Sequence, residues 1–252
     1  MRLAARKSLG QHFLVDENIL RVIERLAELE PADVVLEIGP GLGVLTRFLA
    51  ARVAHVHAAE VDRRLEEHLA GIERTTIHWG DALDLDVAAL DPPPHKLVAN
   101  LPYNLATPIV AESLALGQLG LWCVMVQREV ADRFFAKPST KAYGAVSVLV
   151  QLTAERTGFH AVSREVFRPK PNVESALVAF RRIGPGASAE VRRVVTASFS
   201  HRRKTLANAV ALGGLAPRDR AVEALDAIGR APGVRAEALA PAEFVALTEA
   251  LR

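Results

Sequence analysis

Apolar positions along the first two thirds of the chain alternate between short unbroken runs and stripes spaced by three and four. Ile19, Ile23, Leu26 and Leu29 share one face of a helix predicted over 17–29, with Asp16 placed to cap it and Pro31 to close it. The run Val34-Val35-Leu36-Glu37-Ile38 reads as a buried strand, followed by a glycine turn and a helix over 44–49. Further strands are predicted near 54–59, 75–78 and 97–99, the last reached through the stiff loop Asp91-Pro92-Pro93-Pro94. Helices over 107–116, 128–135 and 142–153 then alternate with a strand over 119–126, before strands over 154–161 and 176–180. Five strand-and-helix alternations followed by two strands with no helix between them predict an α/β fold. Its sheet should be mostly parallel, with an antiparallel hairpin at one edge. Gly184-Pro185-Gly186-Ala187-Ser188 has no period and reads as a linker. Beyond it, short helices over 190–200, 205–212, 219–228 and 241–251 predict a small all-α domain. The expected domains are residues 1–183 and 184–252.

Composition narrows the field. Half of the 252 residues are apolar and 24% are charged, which suits a globular chain and excludes a disordered one. With 31 basic against 29 acidic residues the formal charge is only +2, so a polyanionic partner must be met by local patches. The single cysteine, Cys123, lies in an apolar run and is expected to be a buried thiol. The eight histidines show no metal-ligand spacing, so no metal is expected, and His55 and His57 are read as structural. The basic start Met1–Lys7 is not followed by a signal-peptide core, and no apolar stretch suffices to span a bilayer. The expectation is a soluble, cytoplasmic protein without membrane contact.

Candidate chemistry gathers at the predicted strand ends, where open α/β sheets bind ligands. Gly39-Pro40-Gly41-Leu42-Gly43 permits close approach to the main chain, but NAD-binding and nucleoside-binding folds share such a turn. Glu60 lies about twenty residues further on, where an acid can accept both hydroxyls of a ribose. Asp81, in Gly80-Asp81-Ala82, can accept a hydrogen bond from an adenine amino group. Glu37 before the turn would repel a pyrophosphate but tolerate a cationic ligand, and no second glycine turn follows to hold a nicotinamide half. Asn100-Leu101-Pro102-Tyr103 ends the strand at 97–99. It reads either as an ordinary proline turn or as an amide and an aromatic face set for a flat heterocycle. Residues 6–14 mix basic and aromatic side chains without a period and are expected to pack over a site. Arg128, Arg133, Lys137 and Lys141 form a basic cluster, and His201-Arg202-Arg203-Lys204 is either a solvated face or a phosphate-binding patch. For Arg168 and Lys170, between prolines, surface charge and phosphate contact are equally open.

These motifs, in this order and over nearly the whole chain, resemble the ribosomal RNA adenine dimethyltransferases. That family holds the bacterial small-subunit enzyme and the macrolide-resistance methyltransferases. The resemblance rests on Gln11-His12-Phe13-Leu14, Glu37-Ile38-Gly39-Pro40-Gly41, Glu60, Gly80-Asp81-Ala82, Asn100-Leu101-Pro102-Tyr103 and Phe167-Arg168-Pro169-Lys170-Pro171-Asn172-Val173-Glu174-Ser175. Leu101, Asn104 and Arg202–Leu206 look like the small-subunit branch. The resemblance implies a class I, Rossmann-like methyltransferase sheet and S-adenosyl-L-methionine as cofactor. The cofactor would be held by Gln11, His12, Leu14, Glu37, Gly39, Gly41, Glu60, Val61, Asp81, Ala82 and Asn100. It implies a catalytic set of Asn100, Leu101, Pro102 and Tyr103, with Phe167 as the second wall of the base site. RNA contacts would come from Arg128, Arg133, Arg168, Lys170, Arg202, Arg203 and Lys204. The implied reaction is N6,N6-dimethylation of two adjacent adenines in a hairpin near the 3′ end of 16S ribosomal RNA, by a monomer acting on a pre-30S particle. The alternatives are a large-subunit methyltransferase of the resistance type and an RNA-binding assembly factor that is mainly non-catalytic.

Overall fold

The computed structural model describes Arg6 and residues 11–252, so residues 7–10 of the segment expected to pack over a site lie outside the description. Its strands are β1 (Phe13–Leu14), β2 (Val34–Ile38), β3 (His55–Glu60), β4 (Thr75–Trp79), β5 (Lys96–Asn100), β6 (Leu121–Gln127), β7 (Ala154–Val162), β8 (Phe167–Arg168) and β9 (Ser175–Arg182). Seven of them form one sheet in the order β4-β3-β2-β5-β6-β9-β7, while β1 and β8 form a separate two-stranded ribbon. From β4 through β6 the neighbours run parallel, and β9 runs antiparallel to β6. The order reverses between β2 and β5, which opens a crevice beyond their carboxyl ends. Parallel strands need helices on both faces, and the fully buried runs of β2 and β6 reflect that.

The helix Glu17–Leu26 starts where Asp16 accepts a hydrogen bond from Asn18 N, at 2.7 Å. It ends three residues before the expected Leu29, because Glu28 turns to a φ of +48° and breaks the ladder. Ile19, Leu20 and Ile23 nonetheless pack with Met125, Leu177 and Ala179 in the main core, and Leu29 is partly buried against it. Cys123 is buried there too, and burial pushes its thiol up to about 12, which keeps it protonated.

The chain divides into two compact units. The first runs through Ala131 and resumes over Arg156–Arg182; the second combines Asp132–Glu155 with Ile183–Arg252. The second unit therefore begins at Asp132, and its segment Asp132–Glu155 lies within the range 1–183 that the sequence pattern assigned to the first domain. Within it Tyr143 is fully buried, donates to Leu239 O at 2.9 Å and meets the edge of Phe199, which in turn packs on Phe244. Helices Ala189–Ser200, Leu206–Leu212, Arg218–Ala227 and Pro241–Ala250 complete the unit. Among the described residues no helix is long and apolar enough to cross a membrane, and no group of three or more metal-ligating side chains converges.

At the β3–β4 side His57 is buried, with Nε2 2.8 Å from Pro92 O and Nδ1 3.1 Å from Nε2 of His78. A carbonyl can only accept, so His57 Nε2 carries the proton and Nδ1 accepts from His78. Burial and the neighbouring imidazoles hold both His55 and His78 below the ordinary histidine value. Above that value the folded and unfolded chains are equally deprotonated. Below it the unfolded chain takes up protons first, so the stability these rings contribute is present above about pH 6.5 and lost as the pH falls. Urea midpoints should fall between pH 7.5 and 5.5, and less so in the His55→Gln/His78→Gln double variant; equal falls in both would contradict this.

Candidate active site

The crevice lies beyond the carboxyl ends of β2, β3 and β5, and its walls come from five stretches of sequence. They are the β1 segment, the glycine turn after β2, the Glu60 turn, Gly80-Asp81-Ala82 after β4 and the strand end at Asn100. Gly41 stands at φ +57°, and a Cβ there would meet the Phe13 ring at 3.0 Å, so both the turn and the overlying ring require glycine. The main-chain N–H of Gly41 donates to Glu60 Oε2 at 3.1 Å, and that of Asp62 donates to Oε1 at 2.8 Å. Glu60 is thus fixed as a bidentate acceptor whose remaining lone pairs are available. Burial raises its pKa against these two backbone bonds.

Asp62 was not singled out by its sequence, yet it organises this corner. Bonding to the Arg64 guanidinium holds its carboxyl well below the usual range, and it also accepts from Gln11 Nε2 at 3.1 Å. The ion pair holds Asp62 in place within the turn after β3, and the Gln11 hydrogen bond ties that turn to the β1 segment. The alternation Glu60-Val61-Asp62, with Arg64 two residues on, was the available signal.

Glu37 is 1% exposed, and its Oε2 has no hydrogen-bond partner. Burial pushes its pKa up to about 8, and the nearby Glu60 charge adds to the rise. Two carboxyls in one crevice, one with an oxygen that has no partner, suit a cationic occupant better than a pyrophosphate, since a cation favours the ionised form that burial disfavours.

Asn100 ends β5 beside Met125 of β6, and Leu101 N extends the ladder to Met125 O at 3.0 Å. The Asn100 Nδ2 donates to His12 O at 3.0 Å, whereas its Oδ1 is buried and unpartnered. The flipped amide would set two oxygens against each other, so His12 fixes which atom Asn100 presents. Pro102 O closes the turn by accepting from Leu105 N at 3.0 Å. The Tyr103 ring stacks on the His12 ring, with centroids 5.1 Å apart and planes at 30°, and its hydroxyl is 2.5 Å from Ser175 Oγ. Burial raises the Tyr103 pKa, so the phenol stays protonated at neutral pH.

All eleven residues expected to hold a cofactor line this crevice, together with Leu101, Pro102 and Tyr103. Phe167 does not. It is fully buried in the core, because the antiparallel register of β1 and β8 sets it opposite Leu14 and turns it inward. The aromatic ring that faces Tyr103 is His12. Of the basic residues, Arg128, Arg168 and Lys170 belong to the first unit, and Arg133 and Arg202–Lys204 to the second. Arg128 stacks over Phe159 at 4.7 Å, Lys170 pairs with Glu165, and Arg202 donates to Tyr143 O at 3.1 Å.

The crevice at the point of strand reversal and the order of the sheet define a Rossmann-like methyltransferase. A crystal structure of a dimethyladenosine transferase from Plasmodium falciparum shares the fold, with a TM-score of 0.71 at 22% identity over 94% of this chain and 96% of that one. The crystal structure of the 23S rRNA methyltransferase ErmE matches with a TM-score of 0.61 at 29% identity, covering 95% of this chain and 99% of that one. The sequence model of one family, ribosomal RNA adenine dimethylase, matches residues 2–251, and the chain belongs to that family. The ribosomal RNA small subunit methyltransferase A of Rubrobacter xylanophilus is 47% identical, over 96% of this chain and 93% of its own length. The protein of the same name from Lactiplantibacillus plantarum is 42% identical, over 99% of this chain and 90% of its own length.

Proposed function

We propose that the protein uses S-adenosyl-L-methionine to dimethylate N6 of two adjacent adenines in a hairpin near the 3′ end of small-subunit ribosomal RNA. The observation that carries this reading is the buried, unpartnered Oδ1 of Asn100, turned from the β1 segment by the Nδ2 bond to His12 O. An exocyclic amine has two protons to place and a lone pair delocalised into its ring. Asn100 Oδ1 accepts one proton and a main-chain carbonyl the other, which frees the lone pair to turn toward the methyl group. Because Pro102 O is already used by Leu105 N, the carbonyl of Leu101 is the better second acceptor.

The cofactor, when bound, supplies an electrophilic methyl group on a sulfonium. Glu60 accepts hydrogen bonds in this crevice, and Glu37, which burial keeps protonated at neutral pH in the ligand-free protein, can release its proton to a solvent-borne base when such a cation enters. Glu60 accepts the ribose hydroxyls, Asp81 accepts the adenine amino group, and the exposed Val61 offers that ring an apolar face. Gln11, His12 and Leu14 close the crevice from the β1 side, and Gly39 and Gly41 let the ligand approach the main chain.

Transfer then depends on position: a nucleophile about 3 Å from carbon and in line with the leaving sulfur needs no strong base. The nitrogen becomes acidic once alkylated, and a monomethylated amine still has one proton for Asn100, so the same geometry serves the second transfer. Extruding the base costs a few kcal/mol, which stacking on Tyr103 offsets by roughly 1–3 kcal/mol.

Arg128, Arg133, Arg168, Lys170, Arg202, Arg203 and Lys204 are proposed to meet RNA phosphates, with the protein acting as a cytoplasmic monomer on a pre-30S particle. Its similarity to the ribosomal RNA small subunit methyltransferases A, at 47% and 42% identity, favours the small subunit over the large. Incubating the protein with labelled cofactor and undermethylated precursors of each ribosomal subunit tests the choice. Label is expected in the small-subunit RNA; label confined to the large subunit would assign the resistance-type reaction instead, and label in neither would remove the enzymatic reading.

A further inference from the structure

Ser175 opens β9 at a place fixed by register. Asn100 of β5 lies beside Met125 of β6, and Met125 lies opposite Leu177 of β9. Two residues further along β6, Gln127 faces Ser175. Successive residues of a strand point to opposite faces, so Ser175 shares the face of Leu177 and stands two residues beyond the carboxyl end of β5. That is the level at which the chain leaves Asn100 and turns through Pro102 to Tyr103. The serine is 1% exposed, and its Oγ lies 2.5 Å from the Tyr103 hydroxyl, across 72 residues of sequence.

We infer that Ser175 is a positioning residue for methyl transfer: its hydroxyl locks the Tyr103 ring at the height and tilt that bring a stacked adenine N6 into line with Asn100 Oδ1. The inference rests on the reading of Tyr103 as the stacking face for the target base. A stacked base takes its plane from the ring beneath it, and Asn100 is fixed independently through His12 O, so any swing of Tyr103 changes the angle between N6 and its acceptor. The His12 ring braces Tyr103 at 5.1 Å, but a stacking contact permits sliding that a short hydrogen bond at the far end of the ring does not. Ser175 itself does not line the cofactor crevice, so its effect should appear in transfer and not in cofactor binding.

The test is a double-mutant cycle in methyl transfer to undermethylated small-subunit particles, with Ser175→Ala, Tyr103→Phe and the pair. Each single change is expected to lower kcat about 10-fold, the size of one lost positioning hydrogen bond, with cofactor Kd unaltered. The pair should be no slower than Tyr103→Phe alone, and Ser175→Thr, which keeps the hydroxyl, should recover most of the rate. Losses that multiply in the pair would overturn the inference, since a serine serving only the packing of β9 would act whether or not the phenol were present. Tyr103→Phe deletes the same bond from the other side, so a misfolded Ser175→Ala does not protect the idea.

A second readout needs no turnover. The chain has only two tyrosines, so fluorotyrosine labelling gives two 19F resonances. The Tyr103 signal should shift in Ser175→Ala while that of Tyr143 stays, and an unmoved Tyr103 signal would also overturn the inference. Failure of the wild-type protein to transfer methyl would instead count against the proposed function, which the 19F result separates from the hydrogen bond.

Discussion

Asn100→Ala is expected to lower methyl transfer by roughly 10²- to 10³-fold, the size seen when one hydrogen-bonding group aimed at a reacting centre is removed. Cofactor affinity should stay within about 2-fold, as expected of a site whose other contacts come from the glycine turn and Glu60. The asymmetry follows from the geometry. Oδ1 is buried and has no partner within the protein, so an amine that donates to it satisfies an acceptor that the fold leaves unpaired. Alanine removes that acceptor and also strands the His12 carbonyl that Nδ2 now satisfies. Asn100→Asp should fail as well, although it keeps an oxygen. A carboxylate has no proton to give His12 O and would turn away from it, so the second variant separates orientation from mere acceptor chemistry. Single-turnover rates beside equilibrium cofactor binding check both, and ordinary transfer by Asn100→Ala would remove the residue from the mechanism.

Glu37→Gln is expected to stabilise the ligand-free protein while weakening its hold on the cofactor. The carboxyl ordinarily loses its proton near 4.5, and here burial moves that point up to about 8. Between those values the folded chain keeps a proton that the unfolded chain has released. The contribution to stability is therefore intact below about pH 4.5 and falls away as the pH rises through about 8. Each pH unit in that window is worth about 1.4 kcal/mol, so at pH 7 the destabilisation is about 3 kcal/mol. Glutamine has the same shape without the titration, and the unfolding midpoint should rise by about 5–10 °C at pH 7, by less at pH 5.5 and by more at pH 8. An advantage that does not change with pH would mean that the carboxyl is not the cause. The weaker cofactor binding has the same origin, because the carboxyl can give up its proton to become a counter-charge for an incoming sulfonium and an amide cannot. The site thus retains a buried acid that the ligand-free fold would be more stable without.

Much of this arrangement was legible in the sequence because it depends on short spacings. A strand, a glycine turn, an acid about twenty residues on and an Asn-Leu-Pro-Tyr strand end each read locally, and the topological switch between β2 and β5 gathers them. What escaped depends on partners distant in sequence. Asp132–Glu155 carries the same apolar stripes as its neighbours, and no periodicity says which core a stripe will join; here it joins Ile183–Arg252. Phe167 looks like a base-stacking residue by its place in a motif, but the pairing of β8 with β1 turns it into the core. His12 fixes Asn100 through its main chain, which no side-chain pattern encodes. Ser175 closes the last motif of the chain, and only the β5–β6–β9 register reveals that it reaches Tyr103.

The central claim is that Asn100 and Tyr103 present an extruded adenine N6 for two successive methylations. Digesting the small-subunit RNA after reaction and identifying the labelled nucleoside by mass spectrometry tests it most directly. The account predicts N6,N6-dimethyladenosine at two adjacent positions near the 3′ end, with N6-methyladenosine as the transient species and both formed roughly 10²- to 10³-fold more slowly by Asn100→Ala. Label on a ring nitrogen, on a ribose hydroxyl or on a cytosine would contradict it.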